Sequence, residues 1–349
     1  MKHLRISRLT CIVLAVVLAG LLCAGPGVSN ALAKEKVWRL KIQSHSVPGK
    51  WDCQWVVPLK FAELVKEHTK GRVDMSLHSV GEFVGAREAW AAVSSGTIDA
   101  ATTIDIYQGG VHPEFCFDTA AIWSIDEFFK VLHAGALDIL NEQTLKENVR
   151  IVGYVPLAGY YSVSMKRAHV KTLEDLKGKK LRGMGGAANL FLKSAGAGIV
   201  TLPMSEVPSA LQTGVVEGIH TGMAGLYAMH LWDVAPYYTV TRTGNFGMFI
   251  LMNEGLYSEF PSDVKASIDV AHLELEQWYR EWDATFWREI RADVEKKGIK
   301  WYELTPDEAE RWWKQLTKAS VAWVMERTPD VGKRLFQIVE KETGRKVLK

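Results

Sequence analysis

The sequence has little cysteine and lacks the motifs of common hydrolases and metalloenzymes. Four cysteines occur in 349 residues, with no C-x-x-C pair and no other metal-ligand spacing. There is no G-x-S-x-G nucleophile motif and no H-E-x-x-H zinc motif, and the ten histidines are scattered. No combination of acid, base and nucleophile is apparent. The sequence therefore favours binding over catalysis and predicts no catalytic residue, no metal and no cofactor.

Beyond its first 33 residues the chain also lacks an apolar run long enough to span a membrane. Within them, the basic residues Lys2, Arg5 and Arg8 precede "LTCIVLAVVLAGLLCAG", and small residues lead to Ala33. This order is typical of a secretory signal peptide, so we expect cleavage after Ala33 and a periplasmic protein. A retained membrane anchor and a lipoprotein formed at Cys23 are the alternatives.

The chain lacks a charge excess of either sign once that segment is set aside. Of 42 Lys and Arg residues three lie in residues 1–33, which leaves 39 against 40 Asp and Glu. Such a balance gives no electrostatic footprint for nucleic acid or a membrane surface. About 316 residues are enough for two domains. Cys53 and Cys116 remain, and either one disulfide or two separate buried thiols would fit an oxidising compartment.

Strand and helix patterns alternate along the chain. "KVWRLKIQS", "RVDMSLHSV" and "TIDAATT" have strand character, and "DCQWVVPLKFAELVKEHTKG" and "GAREAWAAVSSG" between them have helical spacing. Residues 150–221 show the same alternation, which predicts βα units and a largely parallel sheet covered on both faces. "AAVSSGTIDAATT" and "SALQTGVVEGIHT" also align, with Asp99 matching Glu217 and Thr103 matching Thr221. Together these observations predict two similar α/β lobes.

The C-terminal part is predicted to be helical. No Gly or Pro interrupts residues 262–297, which predicts a helix of roughly 50 Å that starts at a Ser262 cap and extends along both lobes. Thr305 and Glu308 have the spacing of a capping box at the start of another helix. "GMFILMN" before them is predicted to be a returning strand.

A glycine run at 183–186 matches part of a dinucleotide-binding fingerprint. Gly183, Gly185 and Ala188 fit G-x-G-x-x-[GA], and Glu206 lies where a ribose-binding acid would be expected. Three of the five residues in the strand before it, "GKKLR", are cationic, whereas that fingerprint needs an apolar central strand. We therefore interpret the glycines as a sharp strand-to-helix turn that leaves space at a binding cleft.

Several segments carry a resemblance to a known family. "TLEDLKGKKLRGMGG", "TLPMSEVPSALQTGVVEGIHTG" and "LMNEGLYSEFPSDVK" resemble the extracytoplasmic solute-binding proteins of TRAP transporters, the DctP-like family. "VGEFVGAREAWAAVSSGTIDAA" and "HPEFCFD" fit the same family. The resemblance runs from about Trp38 to the long helix.

This resemblance implies an α/β, two-lobe periplasmic-binding-protein (Venus-flytrap) fold with a long C-terminal helix bracing both lobes. After the 1–33 signal peptide, we expect residues 34–158 and about 247–285 to form lobe 1. Residues 159–246 and about 286–349 would form lobe 2. Such a protein closes on an organic acid and delivers it to TRAP membrane permease subunits. We expect a monomer, with a dimer as the open alternative.

The resemblance also assigns binding residues. Arg182 occupies the family's arginine position, where a planar guanidinium pairs bidentately with a substrate carboxylate. Thr221, preceded by His220, and the crossing residues Asn245 and Phe246 occupy further contact positions. Tyr161 stands where many members have a second arginine.

The replacement by Tyr161 suggests a monocarboxylate substrate, because it removes a second cation. Trp51, Tyr107 and Phe246 near the cleft could then stack on an apolar or aromatic body. A C4-dicarboxylate-binding protein and a ligand-sensing subunit of a signalling receptor are the alternatives. An exported enzyme on the same fold is a third, for which only His45, His220 and Glu82 would be candidate groups.

Overall fold

The computed structural model describes residues 36–119, 122, 124–157, 161–202, 204–244 and 247–348. From Trp38 onward the chain forms one compact unit, which contains all the elements below. The strands are β1 Trp38–Gln43, β2 Val73–His78, β3 Ala100–Ile104, β4 Val149–Pro156, β5 Tyr161–Met165, β6 Lys180–Arg182, β7 Gly198–Val200, β8 Gly218–Thr221, β9 Tyr237–Thr243, β10 Gly247–Asn253 and β11 Lys300–Glu303. The helices are α1 Cys53–His68, α2 Ala89–Ser94, α3 Asp105–Gln108, α4 Ile125–Val131, α5 Leu137–Thr144, α6 Gly186–Ser194, α7 Val207–Thr213, α8 Met223–Ala228, α9 Glu254–Ser258, α10 Ser262–Lys296, α11 Pro306–Arg327 and α12 Pro329–Thr343.

The strands form two sheets. The first has the order β2-β1-β3-β10-β4 and the second has the order β11-β9-β5-β8-β6-β7. The chain passes from the first sheet to the second between β4 and β5, and it returns between β9 and β10. The α/β two-lobe fold expected from the sequence is therefore confirmed.

Both sheets are mixed, which corrects the prediction of a largely parallel sheet. In the first, β1 is parallel to β2 and β3, while β10 is antiparallel to β3 and β4. In the second, β6 is parallel to β7 and β8, while β5 is antiparallel to β8 and β9. The antiparallel strands are those next to the crossings, because a strand that enters from the other sheet has no helical crossover to restore its direction.

The two sheets share one arrangement of strands. The order β2-β1-β3 of the first corresponds to β7-β6-β8 of the second, and we call these the first and second repeats. Ile42 pairs with Ala100 in the first repeat, and Leu181 pairs with Gly218 in the second. The match between the two sequence segments therefore reflects equivalent positions in the fold.

The matched acids have the same hydrogen bond in each repeat. Asp99 Oδ2 accepts from the backbone N–H of Lys41 at 2.7 Å, and Glu217 Oε2 accepts from that of Lys180 at 3.3 Å. In both cases the acid precedes the third strand and bonds to the middle one. The strand register then makes Gln43 the equivalent of Arg182.

The long helix α10 contacts elements of both sheets, as the sequence predicts. Its N-terminal half forms ion pairs through Glu274 with His68 of α1 and through Arg280 with Asp126 of α4. In its C-terminal half the ring of Trp287 meets that of Trp301 on β11 at 6.2 Å. The helix has 35 residues, which corresponds to about 52 Å.

The caps of these helices differ in part from prediction. Ser262 is the first residue of α10 and provides no cap, since Pro261 stands at the cap position without a side-chain hydrogen bond. Thr305 does cap α11, accepting from the N–H of Glu308 at 3.4 Å. The carboxylate of Glu308 instead accepts from the N–H of Leu173 at 2.7 Å and from Trp312 Nε1 at 3.0 Å.

The last two helices, α11 and α12, contact elements that belong to different sheets. Trp312 of α11 is buried against Phe191 of α6, while Trp323 near the end of α11 donates to the carbonyl of Gly109 at 3.2 Å. The following helix α12 forms an ion pair between Arg334 and Glu142 on α5. The predicted division placed residues 329–348 in the second lobe, whereas these contacts lie with helices of the first sheet.

Cys53 and Cys116 are buried thiols that form no disulfide with each other, so of the two alternatives left open by the sequence the structure has the separate thiols. Burial raises the pKa of the Cys116 thiol well above its usual value. Within the described ranges, the model contains no helix with the length and apolarity required to cross a membrane.

Candidate binding site

A cavity of about 460 Å³ lies between the two sheets, at the carboxyl ends of β1 and β3 and of β6 and β8. Its volume is in the range of small-molecule sites, roughly 300–1,000 Å³. Ligands bind at this edge in open α/β sheets. The lining residues are His45, Ser46, Val47, Gln54, Val80, Ala86, Arg87, Glu88, Ile104, Tyr107, Leu157, Arg182, Met184, Met204, Thr221, Gly222, Ala224, Gly225, Ala228 and Met229.

Arg182 is the buried cation of this cavity. Its side chain is 2% exposed, and Nε donates to the carbonyl oxygen of Leu202 at 3.3 Å. No carboxylate of the described residues forms an ion pair with it. Burial lowers its pKa, and the adjacent Tyr107 opposes that shift. A buried guanidinium without an anionic partner is costly, and a carboxylate ligand would supply that partner.

Tyr107, His45 and Arg87 come from the first sheet and meet at the cavity. The rings of His45 and Tyr107 lie 5.0 Å apart, and the Arg87 guanidinium lies 4.6 Å from the centre of the Tyr107 ring. Burial, and then the charge of Arg87, lower the pKa of His45 to about 4. This histidine is therefore neutral at physiological pH.

His220 and Thr221 come from the end of β8 in the second sheet. Both are buried, and Thr221 lines the cavity. Burial, and then the charge of Arg182, lower the pKa of His220 to about 3. Two neutral histidines next to two arginines leave the guanidinium groups as the positive charges of the site.

Most of the remaining wall is apolar. Leu157 and Ile104 lie on the first-sheet side, and helix α8 contributes small side chains, including Ala224. Gly225 on this helix has no room for a side chain, because a Cβ would come within 2.6 Å of Thr221 Oγ1. The cavity thus combines charged and polar groups with a larger apolar surface. Three flexible side chains complete it, those of Met184, Met204 and Met229.

Three predicted contact residues of the described chain lie outside the cavity lining: His220, which is buried on β8, and Trp51 and Glu82. Trp51 packs against Phe286 of α10, with ring centres 6.2 Å apart, and Lys50 covers its other side. Glu82 is exposed and accepts hydrogen bonds from the backbone N–H of Ser79 and from the ring of His78. Those bonds, chiefly the one with His78, lower its pKa.

Of the three remaining predicted residues, the structure describes one. Tyr161 is the first residue of β5 and pairs with Thr243 of β9, at an irregularity in the ladder. Asn245 and Phe246 lie outside the described residues.

Arg87 is a lining residue that the sequence analysis missed. It lies in the loop after β2, in "GAREAW", and its side chain is exposed. The available signal was its position, because this loop follows a parallel strand whose carboxyl end faces the same edge as β1 and β3. In the sequence, its charge alone does not distinguish it from any other solvent-exposed arginine.

The glycine run forms the turn between β6 and α6. Gly185 has φ +130° and Gly186 has φ +47°, values that favour glycine. A Cβ on Gly186 would lie 3.0 Å from Cys116 Sγ, so the turn packs tightly against the first-sheet side. The glycines serve this turn rather than the cavity wall, whose lining includes Met184 but not Gly183, Gly185 or Gly186.

The sequence matches the model of a known family. The model of the bacterial extracellular solute-binding protein family 7, DctP, matches residues 53–326. The chain belongs to this family. It is thus a solute-binding protein and not an enzyme.

Relatives agree along most of the chain. A solute-binding protein of Albidiferax ferrireducens is 25% identical over 299 residues, covering 81% of this chain and 85% of the relative. A TRAP periplasmic solute-binding protein of Rhodoferax ferrireducens, solved with malonate, superposes with a TM-score of 0.78 at 20% identity, over 87% of this chain and 98% of the other. A Bordetella pertussis extracytoplasmic solute receptor binding pyroglutamic acid superposes with a TM-score of 0.76 at 20% identity, over 86% of this chain and 99% of the other.

Proposed function

We propose that this protein is a periplasmic receptor that captures an organic acid between its two sheets and delivers it to TRAP membrane permease subunits. The observation that carries this proposal is Arg182, a buried cation that lines the cavity and has no carboxylate partner among the described residues. Solved family members with malonate and pyroglutamic acid support an acid ligand. Export would depend on residues 1–33 as a cleaved signal peptide.

The proposed lobes follow the two sheets. Lobe 1 comprises residues 34–158 and about 247–285, and lobe 2 comprises 159–246 and about 286–328. Residues 329–348 join lobe 1 through the contacts of α12. Ligand contacts from both sheets would favour the closed arrangement through their differential affinity for it.

We further propose a monocarboxylate with an apolar or aromatic body as the substrate. The carboxylate would pair with Arg182, next to Thr221 and Tyr107. The body would lie against Leu157, Ile104 and the small side chains of α8, where apolar contact gives affinity without further charge.

Calorimetric titration with phenylacetate, isovalerate, succinate and malate tests this substrate. We expect the first two acids to bind and the last two to bind at least tenfold more weakly, because a second carboxylate would have to be desolvated against apolar groups. Tight binding of succinate or malate with no binding of phenylacetate or isovalerate would contradict the proposal.

A C4-dicarboxylate is the second candidate, and Arg87 favours it. This exposed cation lines the same cavity as Arg182 and could pair with a second carboxylate. If it does, Arg87→Ala should weaken succinate binding by about tenfold or more, since charge-assisted pairs contribute roughly 1.5–3 kcal/mol. If the substrate is a monocarboxylate, the same variant should leave phenylacetate affinity within about threefold. Phenylacetate has no second carboxylate, and an exposed arginine contributes little to the binding of the carboxylate at Arg182.

A further inference from the structure

A cluster of buried polar groups lies at the start of the helix that carries Tyr107. Asp105, Asp118 and Tyr154 are all fully buried, and we call them the carboxyl cluster. The hydroxyl of Tyr154 donates to Asp118 Oδ2 at 2.8 Å and lies 3.4 Å from Asp105 Oδ2. The backbone N–H of Gly247 donates to Asp105 Oδ2 at 2.5 Å. These groups are not among the lining residues of the cavity.

The two carboxyl groups are neighbours that interact through charge and a hydrogen bond, so they are not both ionised. Burial, and then the charge of Asp105 and its hydrogen bond, raise the pKa of Asp118 well above its usual range. Burial and the same two acids also raise the pKa of Tyr154. Adjacent buried carboxyl groups share one proton because two like charges in contact are strongly unfavourable. The cluster therefore consists of a carboxylate at Asp105 and a protonated Asp118.

The elements that meet at this cluster lead to the cavity. Asp105 begins α3, and Tyr107 follows two residues later at the cavity wall. Gly247 begins β10, directly after the crossing. Tyr154 lies near the end of β4, before the other crossing, and its own N–H donates to His272 Nε2 of α10 at 3.2 Å. A side chain on Gly247 would overlap the ring of Tyr154, so the contact is close.

We propose that Asp105 is a positioning residue of the binding site. Its carboxylate, bonded to the Gly247 amide and adjacent to the Asp118–Tyr154 pair, holds the Tyr107 turn and the start of β10 in one arrangement. Asp105 does not contact the ligand. It acts through Tyr107, which lies beside Arg182, and through the start of β10. Its effect on affinity rests on the proposed function.

The proton on Asp118 is part of this arrangement. Its deprotonation would place two carboxylates in contact and weaken the bond to Gly247. The groups acting on Asp118 are Asp105 of α3 and Tyr154 of β4, and Cys116 and Glu114 lie on its own segment. Because the pKa of Asp118 is raised, the stabilising proton is bound at low pH and is lost as pH rises through that raised pKa.

Three variants test the proposal, with Ser320→Ala as the matched control. Asp105→Ala should weaken phenylacetate binding about tenfold and speed amide exchange of Gly247, since a buried N–H loses its acceptor. Asp118→Asn has no proton to lose in this pH range, so it cannot place a second negative charge beside Asp105. Its affinity at neutral pH should stay within about twofold of wild type and, unlike that of wild type, should not fall as the pH is raised. Ser320→Ala removes a buried bond to the carbonyl of Cys116 and should lower Tm without changing affinity.

Binding is measured by calorimetry and exchange by NMR on the ligand-free protein. The proposal is overturned if Asp105→Ala retains both affinity and Gly247 protection, or if Ser320→Ala loses as much affinity for an equal fall in Tm. An alkaline loss of affinity in Asp118→Asn equal to that of wild type also overturns it, even if Asp105→Ala does not fold. Should wild type bind none of the four acids, the proposed substrate class fails by itself. The exchange of Gly247 in Asp118→Asn and wild type across pH then decides this inference.

Discussion

The first and second repeats have the same strand order and register, yet their equivalent residues Gln43 and Arg182 have different surroundings. The Gln43 amide group is buried and makes three backbone hydrogen bonds, one to the carbonyl of Val84 and two from the N–H groups of Phe83 and Val84. Arg182 is equally buried but has one backbone hydrogen bond, to Leu202. In the first repeat this position thus fixes the loop at Phe83 and Val84 through hydrogen bonds. In the second repeat it presents to the cavity a cation that has no carboxylate partner among the described residues.

The next strand shows a similar difference. Thr102 of the first repeat accepts from the backbone N–H of His45 at 2.8 Å, whereas its equivalent His220 lies near the charge of Arg182. The acids Asp99 and Glu217, in contrast, keep the same bond in both repeats. The acids before the third strand and the threonines near its end, Thr103 and Thr221, are thus alike in the two repeats. The pairs Gln43–Arg182 and Thr102–His220 differ in residue type and in surroundings.

Replacing the second-repeat residue by its equivalent should have the largest effect. Arg182→Gln is expected to weaken binding of phenylacetate on the order of 100- to 1,000-fold, since it removes one partner of a desolvated charge pair. Its Tm should not fall, because the guanidinium is buried without an anion. Calorimetry and thermal unfolding measure both. Lys180→Gln, an exposed cation on the same strand, is the control and should bind as wild type does.

The reverse test removes the first-repeat residue. Gln43→Leu should lower the free energy of unfolding by about 1–3 kcal/mol, because three backbone groups lose their partner. Its affinity should change by less than about fivefold. Urea unfolding and calorimetry separate the two quantities. The comparison fails if this variant loses affinity as severely as Arg182→Gln while its stability is unchanged.

The pH dependence of stability distinguishes His220 from Thr102. Because the pKa of His220 is lowered to about 3, its neutral form stabilises the fold above the unfolded pKa of about 6.5, and this contribution declines as pH falls from there toward 3. We expect wild type to lose roughly 2 kcal/mol at this residue between pH 7.5 and 5. His220→Thr should lack that loss in urea unfolding at the two pH values. His230→Gln, at an exposed histidine, should retain it.

Much of the fold could be read from the sequence because its signals are local. Apolar alternation predicted β1 to β3, and the absence of Gly and Pro predicted α10. The antiparallel strand pairs next to the crossings could not be read, since strand direction depends on which sheet the chain enters. The π-helical turn Leu132–Ala136, with Gly135 at φ +111°, also had no sequence pattern that distinguished it.

The candidate site was predictable in part. The resemblance assigned Arg182 and Thr221 and placed Tyr107 near the cleft, and the structure brings these residues together at the ends of parallel strands. Arg87 was missed, because only the position of its loop after a parallel strand pointed to the cavity and its charge did not distinguish it from a solvated arginine. Trp51 followed a strand in the same way, but its large apolar ring packs against Phe286, where it buries more surface.

The unbroken course of α10 has a mechanical consequence. Sharp kinks in helices occur at proline, at glycine and serine pairs or at π-bulges, and none of these interrupts Ser262–Lys296. The helix therefore has no joint. A change in the angle between the sheets must bend it gently over its whole length or slide its aromatic face past Trp301. If the proposed closure bends the helix, the helix would store elastic energy in the closed, ligand-bound arrangement and release it when the ligand leaves.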